Sequence, residues 1–125
     1  MIFLSHPYHH DDPNVVEGRI EIARHVMCHF LNRGIWAESW MVNTHEAIQK
    51  GLLEDAYVYW EDMIEIQIQK ASKIVILCLP GWIASSGVQG EIATARKHDV
   101  LLQYFTMPMI KHKIGDRVVE SVDLQ

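Results

Sequence analysis

The segment Lys73 to Leu79, KIVILCL, limits the fold of this chain more than any other stretch. It is apolar at almost every position, not at every second one. A strand with one wet face alternates, whereas a strand buried on both faces does not. Such strands belong to parallel sheets covered by helices. Pro80 and Gly81 then stop the run.

The rest of the chain supplies partners for such a strand. Ile2 to Ser5 is a short apolar run, followed by a polar turn, His6 to Asn14, that holds Pro7 and Pro13. From Val15 to Arg33 the apolar residues Val16, Ile20, Ala23, Met27, Phe30 and Leu31 recur at helical spacing. Asn14 can cap this helix, Glu17 forms a capping-box-like pair with it, and Gly34 suits its end. Ile35 to Trp40 reads as a second strand, and Asn43 to Leu53 as a short helix or a loop. Tyr57 to Lys70 reads as a helix with Trp60, Met63, Ile64 and Ile68 on one face. A helix over Val88 to Lys97, a strand over Val100 to Phe105 and a candidate edge strand over Arg117 to Val122 follow. Neither a repeat nor a linker divides the chain, so residues 1–125 read as a single domain. The expectation is an α/β fold: one doubly wound, mainly parallel sheet flanked by helices, three layers of the flavodoxin- or Rossmann-like kind. Ligands in such sheets bind at the carboxyl ends of strands, where the strand order reverses. The chemistry then falls to two loops, one after Ile2–Ser5 and one after Lys73–Leu79.

Composition narrows the function. Of 125 residues, 49% are hydrophobic and 22% charged, which is the balance of a globular domain. The net charge is −5 and the eleven Lys and Arg are scattered, which argues against a polynucleotide partner and leaves a single nucleotide open. The opening MIFLSHPYHHDD has no basic n-region and does not read as a signal peptide. No apolar run reaches the ~18 residues of a membrane span. Cys28 and Cys78 both sit in apolar runs and read as reduced core thiols. A soluble, reducing, cytoplasmic setting is expected.

The loop from Leu79 to Glu91, LPGWIASSGVQGE, places two hydroxyls and three glycines at the entrance to a helix. Glycine allows close backbone approach, and a helix N-terminus offers free N–H groups to an anion. Glu91 lies in the first or second turn of that helix, so its carboxylate can face the crevice. An acidic residue near a helix start is also favourable for the helix dipole alone. In the first loop, Tyr8 can reach the same crevice or stand as a rim aromatic. Arg19 can meet a phosphate bidentately or remain a solvated helix charge.

Other chemistries find less support. His25 and His29 are four apart beside Cys28, and His9, His10, Asp11 and Asp12 cluster, but neither group supplies a zinc-ligand pattern. There is no Walker sequence and no GxGxxG. Neither Cys28 nor Ser85 is followed by an activating histidine motif.

With these residues in view, the sequence resembles the nucleoside 2-deoxyribosyltransferase-like superfamily over roughly Met1 to Phe105. The matching features are the opening strand followed by Ser5-His6-Pro7-Tyr8, then Arg19, then Leu79-Pro80-Gly81-Trp82. The most specific is Ser85-x-Gly87-Val88-x-x-Glu91-Ile92-x-x-Ala95, similar to an element of the 2′-deoxynucleoside 5′-phosphate N-hydrolases. The resemblance implies that Glu91 attacks the anomeric carbon of a nucleotide or nucleoside, forming a glycosyl-enzyme ester that water or a second base resolves. It implies that Tyr8 holds the Glu91 carboxylate and that Ser85 and the Gly87 backbone hold the 5′-phosphate or 5′-hydroxyl. Arg19 adds charge complementarity, and Trp82 packs on the base or closes the pocket. Ser5, Gly81 and Val88 are carried over as substrate-binding positions, with His45 a candidate polar contact. Asp62 stands for the acid that assists base departure. No cofactor or metal is implied, and a homodimer or higher homo-oligomer is. The surplus of aromatics at Trp36, Trp40, Tyr57 and Trp60 fits either an interface or simple core packing.

Three departures stand out. The transferases' aspartate just after the central strand is replaced by Leu79-Pro80-Gly81, which weighs against base exchange. The tail Met107 to Gln125 shows no match to the segment that neighbouring subunits lend in that superfamily, and His6 has no counterpart role. The favoured reading is an N-glycosidase acting on a nucleotide. Base exchange, a nucleotide-sensing module without turnover and an interaction domain are the alternatives.

Overall fold

The computed structural model describes residues 1–106, 109–114 and 117–122, with side chains described through residue 106. In chain order the elements are β1 (Ile2–Ser5), α1 (Pro13–Leu31), β2 (Ala37–Glu38), α2 (Trp40–Gln49), α3 (Glu61–Lys70), β3 (Lys73–Leu77), α4 (Ser86–Lys97), β4 (Leu101–Phe105), β5 (Met109–Ile114) and β6 (Arg117–Val122). A 3-10 turn, Tyr57–Tyr59, precedes α3. The first four strands form one sheet in the order β2-β1-β3-β4, and every pairing is parallel. The chain steps from β1 outward to β2 and then crosses back to β3 on the other side of β1. The strand order therefore reverses between β1 and β3, the place where an open parallel sheet forms a crevice.

Alternation along the two central strands builds two cores. Ile2 and Leu4 of β1, with Val75 and Leu77 of β3, pack with Ile22, Ala23, Val26 and Phe30 of α1. Phe3, Ile74 and Ile76 point the other way, against Ile64 and Ile68 of α3 and Val88, Ile92 and Ala95 of α4. A strand buried on both faces, as KIVIL is, needs a helical layer on each side, and the structure provides both. The result is a three-layer α/β fold. No helix among the described residues is long and apolar enough to cross a membrane.

Several boundaries differ from the sequence reading. Asp12, not Asn14, caps α1: its carboxylate accepts the Asn14 N–H at 2.9 Å and Pro13 takes the first helical position. Glu17 is not a capping partner but reaches toward α2. The second strand shrinks to Ala37–Glu38, because Ser39 accepts the Val42 N–H at 3.1 Å and starts α2 at Trp40. The helix expected over Tyr57 to Lys70 is a 3-10 turn followed by α3 from Glu61. Strand β3 ends at Leu77, where the Leu79 N–H turns back to the Leu77 carbonyl at 2.8 Å. Arg117–Val122 is a strand, but it pairs antiparallel with β5 in a separate two-stranded sheet and does not edge the main one. Cys28 is exposed on α1 and not a core thiol, while Cys78 is partly buried.

Candidate functional site

A cavity of about 350 Å³ opens at the β1/β3 reversal. Its walls come from the loop after β1 (His6, Pro7, Tyr8), the loop after β3 (Gly81, Ala84) and the start of α4 (Ser85, Ser86, Gly87). Trp40 and Met41 of α2 and Tyr57 and Trp60 before α3 add an aromatic side. Glu91 of α4 also lines it.

Glu91 occupies the buried stripe of its helix, in series with Val88, Ile92 and Ala95. Packing alone would place an apolar side chain there. The residue is 8% exposed, and its Oε1 accepts the Ser5 hydroxyl at 3.0 Å. Burial pushes the carboxyl up to about 8, against the opposing pull of the Ser5 hydrogen bond. A buried carboxyl without a cationic partner costs stability, so its place on a cavity wall marks a candidate site. Ser85 caps α4 by accepting the Val88 N–H at 3.3 Å. Ser86 and Gly87, whose N–H groups a first helical turn leaves unbonded, line the cavity.

Arg19 ties the two loops together. Its Nη1 donates to the carbonyls of Tyr8 and His9 at 3.3 and 2.8 Å, and its Nη2 to that of Pro80 at 3.0 Å. Gly81 makes room for this clamp. Its φ is +93°, and a Cβ there would stand 2.9 Å from Arg19 Nη2. Behind the first loop, His6 Nδ1 lies 3.1 Å from the Pro7 carbonyl and His6 Nε2 2.7 Å from Ser39 Oγ. A carbonyl only accepts, so Nδ1 carries the proton and Ser39 donates to Nε2. Burial, chiefly, lowers the His6 pKa to about 4, which keeps the ring neutral in that arrangement.

The structure brings Glu91, Tyr8, Arg19, Gly81, Ser85 and Gly87 together on one cavity, with Ser5 directly behind Glu91. It separates the others. Asp62 is exposed in the first turn of α3 and does not line the cavity. Val88 is wholly in the core. Trp82 stacks at a tilt on Tyr104, with ring centroids 5.7 Å apart, away from the lining. His45 is buried behind Tyr8, whose hydroxyl meets His45 Nδ1 at 2.7 Å. Ser5, not Tyr8, therefore holds the Glu91 carboxylate. The tail Met107 to Gln125 carries no described side chain. Sequence reasoning left Trp40, Tyr57 and Trp60 as surplus aromatics and gave His6 no part. The only trace of the aromatic wall was that surplus. Among the described residues no group of three or more His, Cys, Asp or Glu side chains is placed to hold a metal ion.

Sheet, reversal point and cavity define the chain as a parallel three-layer α/β domain with its crevice at the carboxyl ends of the central strands. Residues 1–107, everything from β1 to the end of β4, match a family model described as a domain of unknown function, DUF1937. The chain belongs to that family. A search of curated proteins finds no match.

Proposed function

We propose that the cavity cleaves the N-glycosidic bond of a nucleotide or (deoxy)nucleoside 5′-monophosphate, with Glu91 as nucleophile. The observation that carries this reading is Glu91 itself: a carboxyl on the buried face of α4, one oxygen held by Ser5, beside the first-turn N–H groups of the same helix. With Oε1 fixed, Oε2 is the oxygen offered to the anomeric carbon. The base leaves with the bonding electrons as a glycosyl ester forms, and water then attacks the same carbon and frees the carboxylate. This is the logic of a retaining glycosidase. Ser86 and Gly87 N–H groups would receive the 5′-phosphate. Tyr57, Trp60 and Trp40 offer apolar faces to a base.

The pKa of Glu91, raised to about 8, makes the free protein's carboxyl mostly protonated at neutral pH. Only the ionised form attacks, so the low-pH limb of kcat/KM rises with pH toward about 8. The same protonation favours a second reading, a nucleotide sensor in which Glu91 acts as a hydrogen-bond donor. Base exchange differs from hydrolysis only in what resolves the ester. A cytoplasmic setting and a homo-oligomer complete the proposal, the latter supported by Trp36 at 62% exposure.

Nucleosides and their 5′-monophosphates, ribo and deoxy, incubated with the protein and resolved for free base, test this. We expect base release that Glu91→Gln lowers by at least ~10³-fold, as loss of a nucleophile does. Release that survives in the variant removes Glu91 as nucleophile. A nucleotide-induced rise in Tm without release selects the sensor.

A further inference from the structure

Tyr8 OH, His45 and Glu17 form a continuous chain from the cavity to solvent. Tyr8 OH lies 2.7 Å from His45 Nδ1, and His45 Nε2 lies 2.7 Å from Glu17 Oε1. Gln49 Nε2 donates to the same Glu17 oxygen at 2.8 Å. The three main members come from the loop after β1, from α2 and from α1, so the tertiary fold assembles the chain. Tyr8 lines the cavity, His45 is buried, and the Glu17 side chain is half exposed. The hydrogen bond from His45, above all, holds the Glu17 carboxyl below its usual range. An ionised Glu17 accepts from Nε2–H, which leaves Nδ1 to face the phenol. Hydroxyl, imidazole and carboxylate in this order move protons at a hydroxyl oxygen.

The proposed reaction needs such a device, since Asp62 faces solvent and lies off the cavity. Resting on the N-glycosidase reading, we propose that Tyr8, His45 and Glu17 form the proton relay for the departing nucleobase, with Tyr8 the catalytic residue and His45 and Glu17 positioning residues. The cycle starts with His45 doubly protonated against Glu17. As the C1′–N bond breaks, its electron pair goes to the base nitrogen, which takes the Tyr8 proton. Tyr8 takes the Nδ1 proton, and His45 is left neutral. When water attacks C1′ of the Glu91 ester, its proton passes to Tyr8 and Tyr8's to Nδ1. The C1′–O bond to Glu91 breaks and the carboxylate returns. One group thus serves as acid and then as base, as a retaining mechanism requires. The other polar groups around Tyr8 are His9, whose ring is edge-on at 4.9 Å, Asp55, which pairs with His9 at 2.6 Å, and Arg19 on the Tyr8 carbonyl.

A leaving group that needs no proton tests this directly. Wild type, Tyr8→Phe, His45→Gln and Glu17→Gln are assayed on guanosine and 2′-deoxyguanosine 5′-monophosphates and on their N7-methyl counterparts, whose cationic base departs unprotonated. We expect Tyr8→Phe and His45→Gln to lower kcat on the unmethylated substrates by about 10²- to 10³-fold. KM should stay within about threefold and the loss should fall below about tenfold on the methylated ones. Glu17→Gln should lose about tenfold and narrow the pH profile. Equal losses on both substrate sets, or full activity of Tyr8→Phe on both, overturn the relay while the Glu91 reading stands. No base release by wild type from these four or from any other nucleoside or 5′-monophosphate of the wider panel overturns both. Independently of folding in the variants, nitrogen NMR of the ligand-free wild type should show a proton on His45 Nε2, toward Glu17. A ring that carries a proton on Nδ1 and none on Nε2 overturns the relay.

Discussion

The two walls of the cavity treat buried polar groups in opposite ways. On the α4 wall, Glu91 has one neutral hydroxyl for company and is pushed up to about 8. On the β1–α2 wall, both His6 nitrogens are hydrogen-bonded, and His45 sits between a phenol and a carboxylate. A fully partnered network fixes geometry, whereas a partly partnered charge stays ready to change state. The first wall therefore keeps a carboxyl that burial leaves ready to change state, and the second a network whose hydrogen bonds fix its geometry. Arg19 joins the two through three carbonyls.

Breaking that joint should have the largest effect on the architecture. Gly81→Ala forces a left-handed φ on a residue with a Cβ and sets that Cβ against Arg19 Nη2. Strain and a displaced guanidinium together should cost about 2–3 kcal/mol in urea unfolding. Gly90→Ala is the control. It lies inside α4 with open space where the added methyl would stand, so it should gain about 0.5–1 kcal/mol. Equal stabilities for the two variants would mean that Arg19 clamps nothing.

The same contrast explains what was legible beforehand. KIVILCL announced a parallel sheet, because burial on both faces erases alternation within a single segment. Ser85, Gly87 and Glu91 fall within one loop and helix, so local spacing was enough to bring them to one cavity. The opposite wall draws on residues 6, 8, 17, 39 and 45, whose meeting depends on how α1 and α2 cross the sheet. No local period records that. Glu17 fitted a capping pattern but meets His45 of α2, and Asp62, carried over from the resemblance, lies off the cavity; local spacing records neither placement.

Titration sharpens the comparison, with a smaller effect. The folded Glu91 keeps its proton up to about 8, while the unfolded chain releases it near 4.5. The folded state then binds more protons across that window, so stability falls as pH rises through it. His6 behaves in reverse. Folded, it stays neutral down to about 4, while unfolded it protonates below 6.5, so stability falls as pH drops from 6.5 to 4. Between 4.5 and 6.5 the two slopes oppose each other, and between 6.5 and 8 Glu91 acts alone. Wild type should therefore hold level in the lower window and lose stability in the upper one, at no more than about 1.4 kcal/mol per pH unit. Glu91→Gln should abolish the upper decline and uncover the His6 rise below it. An unchanged decline in that variant would show that Glu91 is not the group that titrates.

Trp40 tests, with the smallest effect, which wall it serves. Its Nε1–H is buried without a partner among the described residues, and its ring lies 6.1 Å from that of Trp60. An unpaired buried donor costs about 1–3 kcal/mol, which offsets much of what the larger ring gains by packing. Trp40→Phe removes the donor and keeps an aromatic face, so unfolding free energy should change by less than about 1 kcal/mol. A loss above about 2 kcal/mol in the ligand-free protein would make Trp40 a packing residue of the Trp60 core. It would also move the boundary between the two walls from α2 to the turn before α3.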